Sequence, residues 1–314
     1  MVSRDASLLA SLILGSSLVL AAQDPASRSQ AVFRAQVERV PVATVVHTRQ
    51  GKPVTNLQRE DFQLLDNGHP KPITDFQADP TPVSLLLLVD LSGSMGIEDK
   101  WQHVLDAAGQ LELFLKPRED EVGLFAFDKK LKELEPFGSP LGDVQHTLRN
   151  LHPFGMTSLY DAIADAGRTM SQRPGTRRAV VALTDGEDNA SRMSVRQVTS
   201  LASAIDVPVY IVMVASEVEH AAPQPAGKPA SAEDQGRLED LARFTGGELF
   251  RSGNPTEDRR AAGQIVAELR QQYLIVFEPD TEPGWHAITV QTRQKDLVVR
   301  TRNGYLVGSR PGQD

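Results

Sequence analysis

The clearest pattern in the chain is a short, nearly continuous apolar run, Val83 to Val89, that stops at Asp90. A run of this length without alternation predicts a central parallel strand covered on both faces. Trp101, Val104, Leu105, Ala108, Leu111 and Leu115 then keep the spacing of one apolar helical stripe, which Lys116-Pro117 ends. The series continues with predicted strands at 122–127 and 131–137, helices at 141–151 and 159–170, a strand at 179–183, a helix at 195–205 and a strand at 207–214. A helix over 237–244, a strand at 248–250 and a helix over 258–272 complete it. Alternation of this kind predicts an α/β fold with a doubly wound, mostly parallel sheet, in which ligands bind at the carboxyl ends of the strands. The intervening stretch 215–236 holds Pro223, Pro225, Pro229 and several Ala, and predicts an exposed loop on that same edge.

The flanks read differently. From Val32 to Phe76 valines and phenylalanines are punctuated by Gln50-Gly51-Lys52-Pro53 and Asp66-Asn67-Gly68, so this is a small β unit with turns. Asp79-Pro80-Thr81-Pro82 makes a stiff boundary, and β character returns at 273–277, 285–292, 297–301 and 304–306. Neither piece alone buries much core, so the two are expected to pair in one smaller flanking β module. The expected division is a signal segment at 1–22, an N-terminal β segment at 23–80, the α/β domain at 81–272 and a C-terminal β segment at 273–314.

Arg4 followed by the uncharged, Leu-rich run Ala6 to Ala22 resembles a secretory signal ending in small residues. An uncleaved anchor is the alternative, although 17 uncharged residues fall short of the ~20 that span a bilayer. The expectation is an extracytoplasmic protein, periplasmic or secreted, that touches a membrane only if this segment is retained. Cysteine is absent, which excludes disulfides, thiolate metal sites and cysteine nucleophiles. The formal charge of −8 lies wholly in residues 81–272, where 20 Lys and Arg face 28 Asp and Glu. An acidic body repels phosphate backbones and attracts divalent cations, so no nucleic-acid partner is expected.

The chemistry converges on three loops. Asp90-Leu91-Ser92-Gly93-Ser94 follows the buried strand, Thr184-Asp185-Gly186 ends another, and Gly155-Met156-Thr157-Ser158 precedes a helix. Carboxylates and hydroxyls without nitrogen or sulfur form a donor set suited to a hard cation such as Mg²⁺. Glu187, Asp188 and Asn189 depart from a calcium-loop repeat and read as a solvated acidic rim.

Asp90-x-Ser92-x-Ser94, Thr157 and Asp185 resemble the metal-ion-dependent adhesion site of the von Willebrand factor type A domain, over roughly residues 83–272. The flanking Gly51-Lys52-Pro53-Val54, Asp61-Phe62 and Asp66-Asn67-Gly68, with Tyr273-Leu274 and Arg302-Asn303-Gly304-Tyr305 behind, are similar to the bacterial exported VWFA-related family. The resemblance implies that Ser92, Ser94 and Thr157 bind Mg²⁺ (or Mn²⁺ or Ca²⁺) directly. Asp90 and Asp185 would act directly or through water, leaving one position for an Asp or Glu carboxylate of a protein partner. Met156 departs from the pattern where relatives often carry Gly, which implies narrower access.

The implied function is therefore binding rather than catalysis. A phosphatase of the haloacid dehalogenase type needs a second Asp two residues after its nucleophile, and Ser92 stands there. No Gly-x-Ser-x-Gly elbow, His-Glu-x-x-His pair or phosphate loop occurs, and the seven His are scattered. The rival readings are a metal-free scaffold of an envelope assembly and a metal-dependent hydrolase.

Overall fold

Strand β5 (Ser84–Asp90) is buried along its whole length and forms the axis of the fold. The computed structural model describes residues 39–138, 144–175, 177–204, 206–216 and 230–308. The signal-like segment and most of the stretch 215–236 lie outside the described residues. Leu85, Leu87 and Val89 point to one face of the sheet and Leu86 and Leu88 to the other, each into its own apolar core. That two-sided burial is why the run shows no alternation in sequence, and each of these side chains contributes roughly 2 kcal/mol by leaving water.

The central sheet has six strands. In spatial order they are β10 (Leu249–Ser252), β9 (Val209–Val214), β8 (Arg178–Thr184), β5, β6 (Glu121–Phe127) and β7 (Leu131–Gly138). All neighbours are parallel except β7, an antiparallel edge strand with register irregularities against β6. Helices α1 (Lys100–Phe114) and α6 (Pro255–Gln271) cover one face. The other is covered by α3 (Leu159–Ser171), α4 (Val195–Ala204) and α5 (Ala230–Phe244). The short α2 (Val144–Arg149) packs against α1. From β5 the chain moves outward to β6 and β7, then returns to lay β8 on the opposite side of β5 and continues to β9 and β10. The direction of winding therefore switches between β5 and β8, and an open α/β sheet forms its crevice there.

Two helices begin earlier than the sequence predicts. Helix α5 starts at Ala230, inside the predicted loop, because only its second half carries a clear apolar stripe. Helix α6 starts at Pro255, with the Asn254 side chain accepting the amides of Thr256 and Glu257 at 3.1 Å each, a cap followed by proline at the first helical position.

The terminal segments build two antiparallel four-stranded sheets. One has the order β13 (Leu297–Thr301), β1 (Val40–Thr48), β11 (Tyr273–Phe277), β4 (Ile73–Gln77). The other runs β14 (Gly304–Val307), β12 (Gly284–Thr292), β2 (Phe62–Asp66), β3 (His69–Lys71). Each sheet mixes N- and C-terminal strands, and both contribute to a single apolar core that includes Val42, Leu64, Ile275, Phe277, Ile288 and Tyr305. This module is the smaller flanking unit of the fold.

A buried carboxylate fastens α6 to both sheets around it. Glu268 accepts hydrogen bonds from Tyr210 of β9 at 3.2 Å and Gln264 at 2.9 Å, pairs with His47 of β1 at 3.0 Å, and takes an ion pair from Arg300 of β13. Burial opposes its charge, but the His47 hydrogen bond and the Arg300 guanidinium outweigh it and hold the carboxyl below its ordinary range.

Candidate functional site

The switch between β5 and β8 places Asp90 and Thr184 at the ends of adjacent, hydrogen-bonded strands. Asp90 is fully buried. Its Oδ1 accepts the Ser92 amide at 2.9 Å and its Oδ2 accepts the Thr184 hydroxyl at 2.7 Å. The Thr184 hydroxyl in turn accepts the Gly186 amide at 3.0 Å, so one threonine fixes both the carboxylate and the turn that carries Asp185. These hydrogen-bond donors to Asp90 are neutral. Burial pushes its carboxyl up to about 6; the Ser92 and Thr184 hydrogen bonds resist that, and the charge of Asp185 adds to it.

After Asp90 the chain makes a four-residue 3₁₀ turn, Gly93–Gly96, before α1. The turn presents the Ser92 and Ser94 hydroxyls side by side, 3.1 Å apart. Backbone hydrogen bonds stitch this loop to the next one: the Phe154 amide donates to the Leu91 carbonyl at 2.7 Å and the Gly93 amide to the Gly155 carbonyl at 3.1 Å. Gly155 adopts φ +114°, a conformation that favours glycine. Two residues on, Thr157 is buried. Asn189 clasps its backbone from both sides: the Asn189 Oδ1 accepts the Thr157 amide at 3.0 Å, and the Thr157 carbonyl accepts the Asn189 amide at 3.0 Å.

The predicted site residues therefore lie on three loops tied together at one edge of the sheet. Two further side chains belong to the cluster. Thr184 is one. Lys100, the first residue of α1, is the other: its Nζ stands 3.3 Å from Asp185 Oδ2, with both side chains buried. Thr184 was visible as a hydroxyl beside Asp185 at the strand end. Lys100 had no local signal, because its approach depends on where the 3₁₀ turn delivers the helix.

The acidic rim predicted at Glu187 to Asn189 requires correction. Glu187 is exposed, but Asp188 is half-buried. Asp188 accepts the Leu159 amide at 2.9 Å and the Ser191 hydroxyl at 2.6 Å, while Ser191 accepts the Asp161 amide at 3.1 Å. The loop after β8 thus satisfies the open amides at the start of α3, which Ser158 at the cap position leaves without a side-chain acceptor. Burial raises the Asp188 carboxyl, against these hydrogen bonds.

As chemistry, the cluster offers the hydroxyls of Ser92, Ser94 and Thr157 and two carboxylates, with the Thr184 hydroxyl already spent on Asp90 and one ammonium already beside the second carboxylate. Among the described residues no three His, Asp or Glu side chains gather as a metal site, so any cation held here depends on the hydroxyls. Buried histidines engage acids elsewhere: His47 with Glu268, His103 with Asp99, and His286 with Asp66. The all-oxygen set, with a deeply buried carboxylate whose hydrogen-bond donors are neutral, fits a hard divalent cation.

Comparison with known proteins agrees with this architecture. Residues 85–187 match the family model of the von Willebrand factor type A domain, a span that contains all five predicted site residues. No curated protein sequence matches the chain. Among solved structures, BatB from Bacteroides thetaiotaomicron is similar at 19% identity, over 60% of this chain and 98% of that one, with a TM-score of 0.49. A von Willebrand factor type A protein from Catenulispora acidiphila is similar at 10% identity, over 88% and 76%, with a TM-score of 0.49. The PilB minor pilin from Streptococcus sanguinis is similar at 16% identity, over 65% and 64%, with a TM-score of 0.45.

Proposed function

From the premise that residues 85–187 are a von Willebrand factor type A domain, we propose that the protein is an exported binding module that recognises a protein partner through a divalent cation. Ser92, Ser94 and Thr157 would hold the cation by neutral oxygens, with Asp90 and Asp185 supplying charge. Such a shell leaves the ion with residual positive charge, so a partner Asp or Glu gains a strong contact inside an otherwise acidic surface. The observation that carries the reading is Asp90: a fully buried carboxylate, bonded to neutral donors at the switch of the sheet, with a second carboxylate on the neighbouring strand end. A buried charge in that setting is stabilised by a cation. Export rests on the signal-like residues 1–22; among the described residues no helix is long and apolar enough to cross a membrane.

Thermal melting tests the proposal. Mg²⁺ at 100 times its dissociation constant stabilises a protein that binds it only when folded by about 2.7 kcal/mol. Wild-type protein should melt higher in Mg²⁺ than in chelator, further still with acetate standing in for the partner, and Asp90→Ala should remove both shifts. Equal melting of both proteins in Mg²⁺ and chelator would transfer the reading to a metal-free scaffold. Turnover of a generic phosphoester, lost in Asp90→Ala, would transfer it to a hydrolase.

A further inference from the structure

A cleft of about 610 Å³ opens beside the metal loops, between the turn joining β6 to β7, the start of α3 and the loop before α4. Its floor includes Ser158, the residue after Thr157, whose amide donates to the Asp128 carbonyl at 2.9 Å. Gly155 approaches the residue that precedes Lys129: a Cβ there would lie 3.7 Å from the Asp128 Cβ. On either side of Gly155 stand the exposed side chains of Phe154, 84% accessible, and Met156, 42% accessible.

The charge of this cleft runs against that of the domain. Residues 81–272 carry a net −8, yet the cleft wall holds Lys129, Lys130, Arg168 and Arg192 against Asp161 and Asp165. The two acids are already engaged. Asp165 pairs with Arg168 at 2.6 Å; Asp161 accepts the Arg192 and Met193 amides at 3.1 and 2.9 Å and lies 3.7 Å from the Arg192 guanidinium. Lys129 and Lys130 are exposed, and neither has an ion-pair partner among the described residues. The adjacent Asp128 spends one carboxylate oxygen on the Lys130 amide, and counting its charge still leaves the wall with a positive surplus.

Positive charge gathered at one place on an acidic domain, next to its candidate metal loops, selects a partner by charge. We infer that this cleft is a second recognition site for an acidic, extended peptide segment of the partner. The inference rests on the proposed function: one carboxylate of the segment reaches the metal centre, and the following ones lie against Lys129 and Lys130. Gly155 lies close both to Gly93 and to Asp128, and the exposed Phe154 and Met156 that flank it would receive an apolar side chain of the same segment. Metal and cleft together then recognise a run of acidic residues rather than a single one.

The test uses the full chain and two fluorescein-labelled peptides, hexaglutamate and hexaglutamine, followed by anisotropy in Mg²⁺ and in chelator. The variants are Lys129→Glu/Lys130→Glu and Asp90→Ala. Expected are binding of hexaglutamate over hexaglutamine, a loss of about tenfold in the lysine variant with its Mg²⁺ melting shift intact, and weakening as salt rises. In Asp90→Ala the Mg²⁺-dependent gain disappears while a salt-sensitive remainder persists. If the lysine variant binds hexaglutamate like wild type while Asp90→Ala does not, the cleft is refuted and the metal reading stands. If the lysine variant loses binding but Mg²⁺ changes nothing in wild type, the metal reading falls and the cleft stands. No preference for hexaglutamate over hexaglutamine would overturn the inference outright. Both lysines are surface residues, so a melting temperature in chelator equal to that of wild type verifies the fold of that variant.

Discussion

Two fully buried aspartates at strand ends, Asp90 in the α/β domain and Asp66 in the flanking β module, have been treated oppositely by their surroundings. Asp66 has its partners built in: His286 Nδ1 lies 3.0 Å from Oδ1 and the Tyr305 hydroxyl donates to Oδ2 at 2.7 Å. The imidazole is itself held on its far side by the Glu282 carbonyl at 2.8 Å. Burial pulls the His286 pKa down, but that carbonyl and the Asp66 carboxylate outweigh it, so it stands above its ordinary value. Asp90 receives one amide and one hydroxyl, has Asp185 close enough to repel it, and is pushed up to about 6. The difference separates an acid that holds a fold together from one kept in readiness for a cation.

The comparison breaks most sharply at Asp66. Asp66→Ala leaves a buried imidazole and a phenol without their acceptor, and at roughly 1–3 kcal/mol for each group left unsatisfied should cost about 3–5 kcal/mol in urea unfolding while the Mg²⁺ melting shift persists. A loss under 1 kcal/mol would mean that the module does not depend on this pair. Asp90→Asn should have the opposite sign. In chelator at pH 7.5 it removes an unfavourable buried charge and should stabilise the chain by about 3 kcal/mol, from a raised pKa of this size, while abolishing the response to Mg²⁺.

The pH dependence sharpens the same point. With a folded pKa near 6 and an unfolded value of 3.8, the charge penalty at Asp90 is present in full above the folded pKa. It fades as pH falls through about 6 and is gone below the unfolded value. The advantage of Asp90→Asn over wild type should therefore shrink between pH 7 and pH 4. An advantage constant across that range would show that charge is not its cause.

A smaller effect is expected at Lys100. Its ammonium sits beside Asp185 where it opposes a dication, so Lys100→Met should tighten Mg²⁺ binding about tenfold, or 1.4 kcal/mol, and lower stability in chelator by leaving Asp185 without that charge. Unchanged affinity in a calorimetric titration would remove Lys100 from the account.

Much of this was readable in the chain because single-element patterns are local. The unbroken run at 83–89 marked β5, and β character at 285–292 marked β12, which the structure shows to be one-sided, with His286, Ile288 and Val290 inward. The strand-end positions of Asp90 and Asp185 followed from those runs. What escaped was long-range. The Thr184 bond to Asp90 spans 94 residues and the Lys100 pair with Asp185 spans 85, so neither has a local spacing to betray it. Asp188 read as a solvated acid because its acceptor role toward α3 exists only once β8 and α3 are neighbours. The start of helix α5 escapes prediction because its first half carries no apolar stripe and follows a proline-rich stretch. The pairing of β1 with both β11 and β13 likewise joins segments more than 200 residues apart.

The central claim is that Asp90 anchors a divalent cation, and calorimetric titration of Mn²⁺ and Mg²⁺ into wild-type protein and Asp90→Asn at pH 7.5 tests it most directly. The account predicts saturable binding with one site per chain in wild type and none in Asp90→Asn, even though that variant is the more stable of the two in chelator. Binding of equal affinity and stoichiometry in both proteins, or no binding in either, would contradict it.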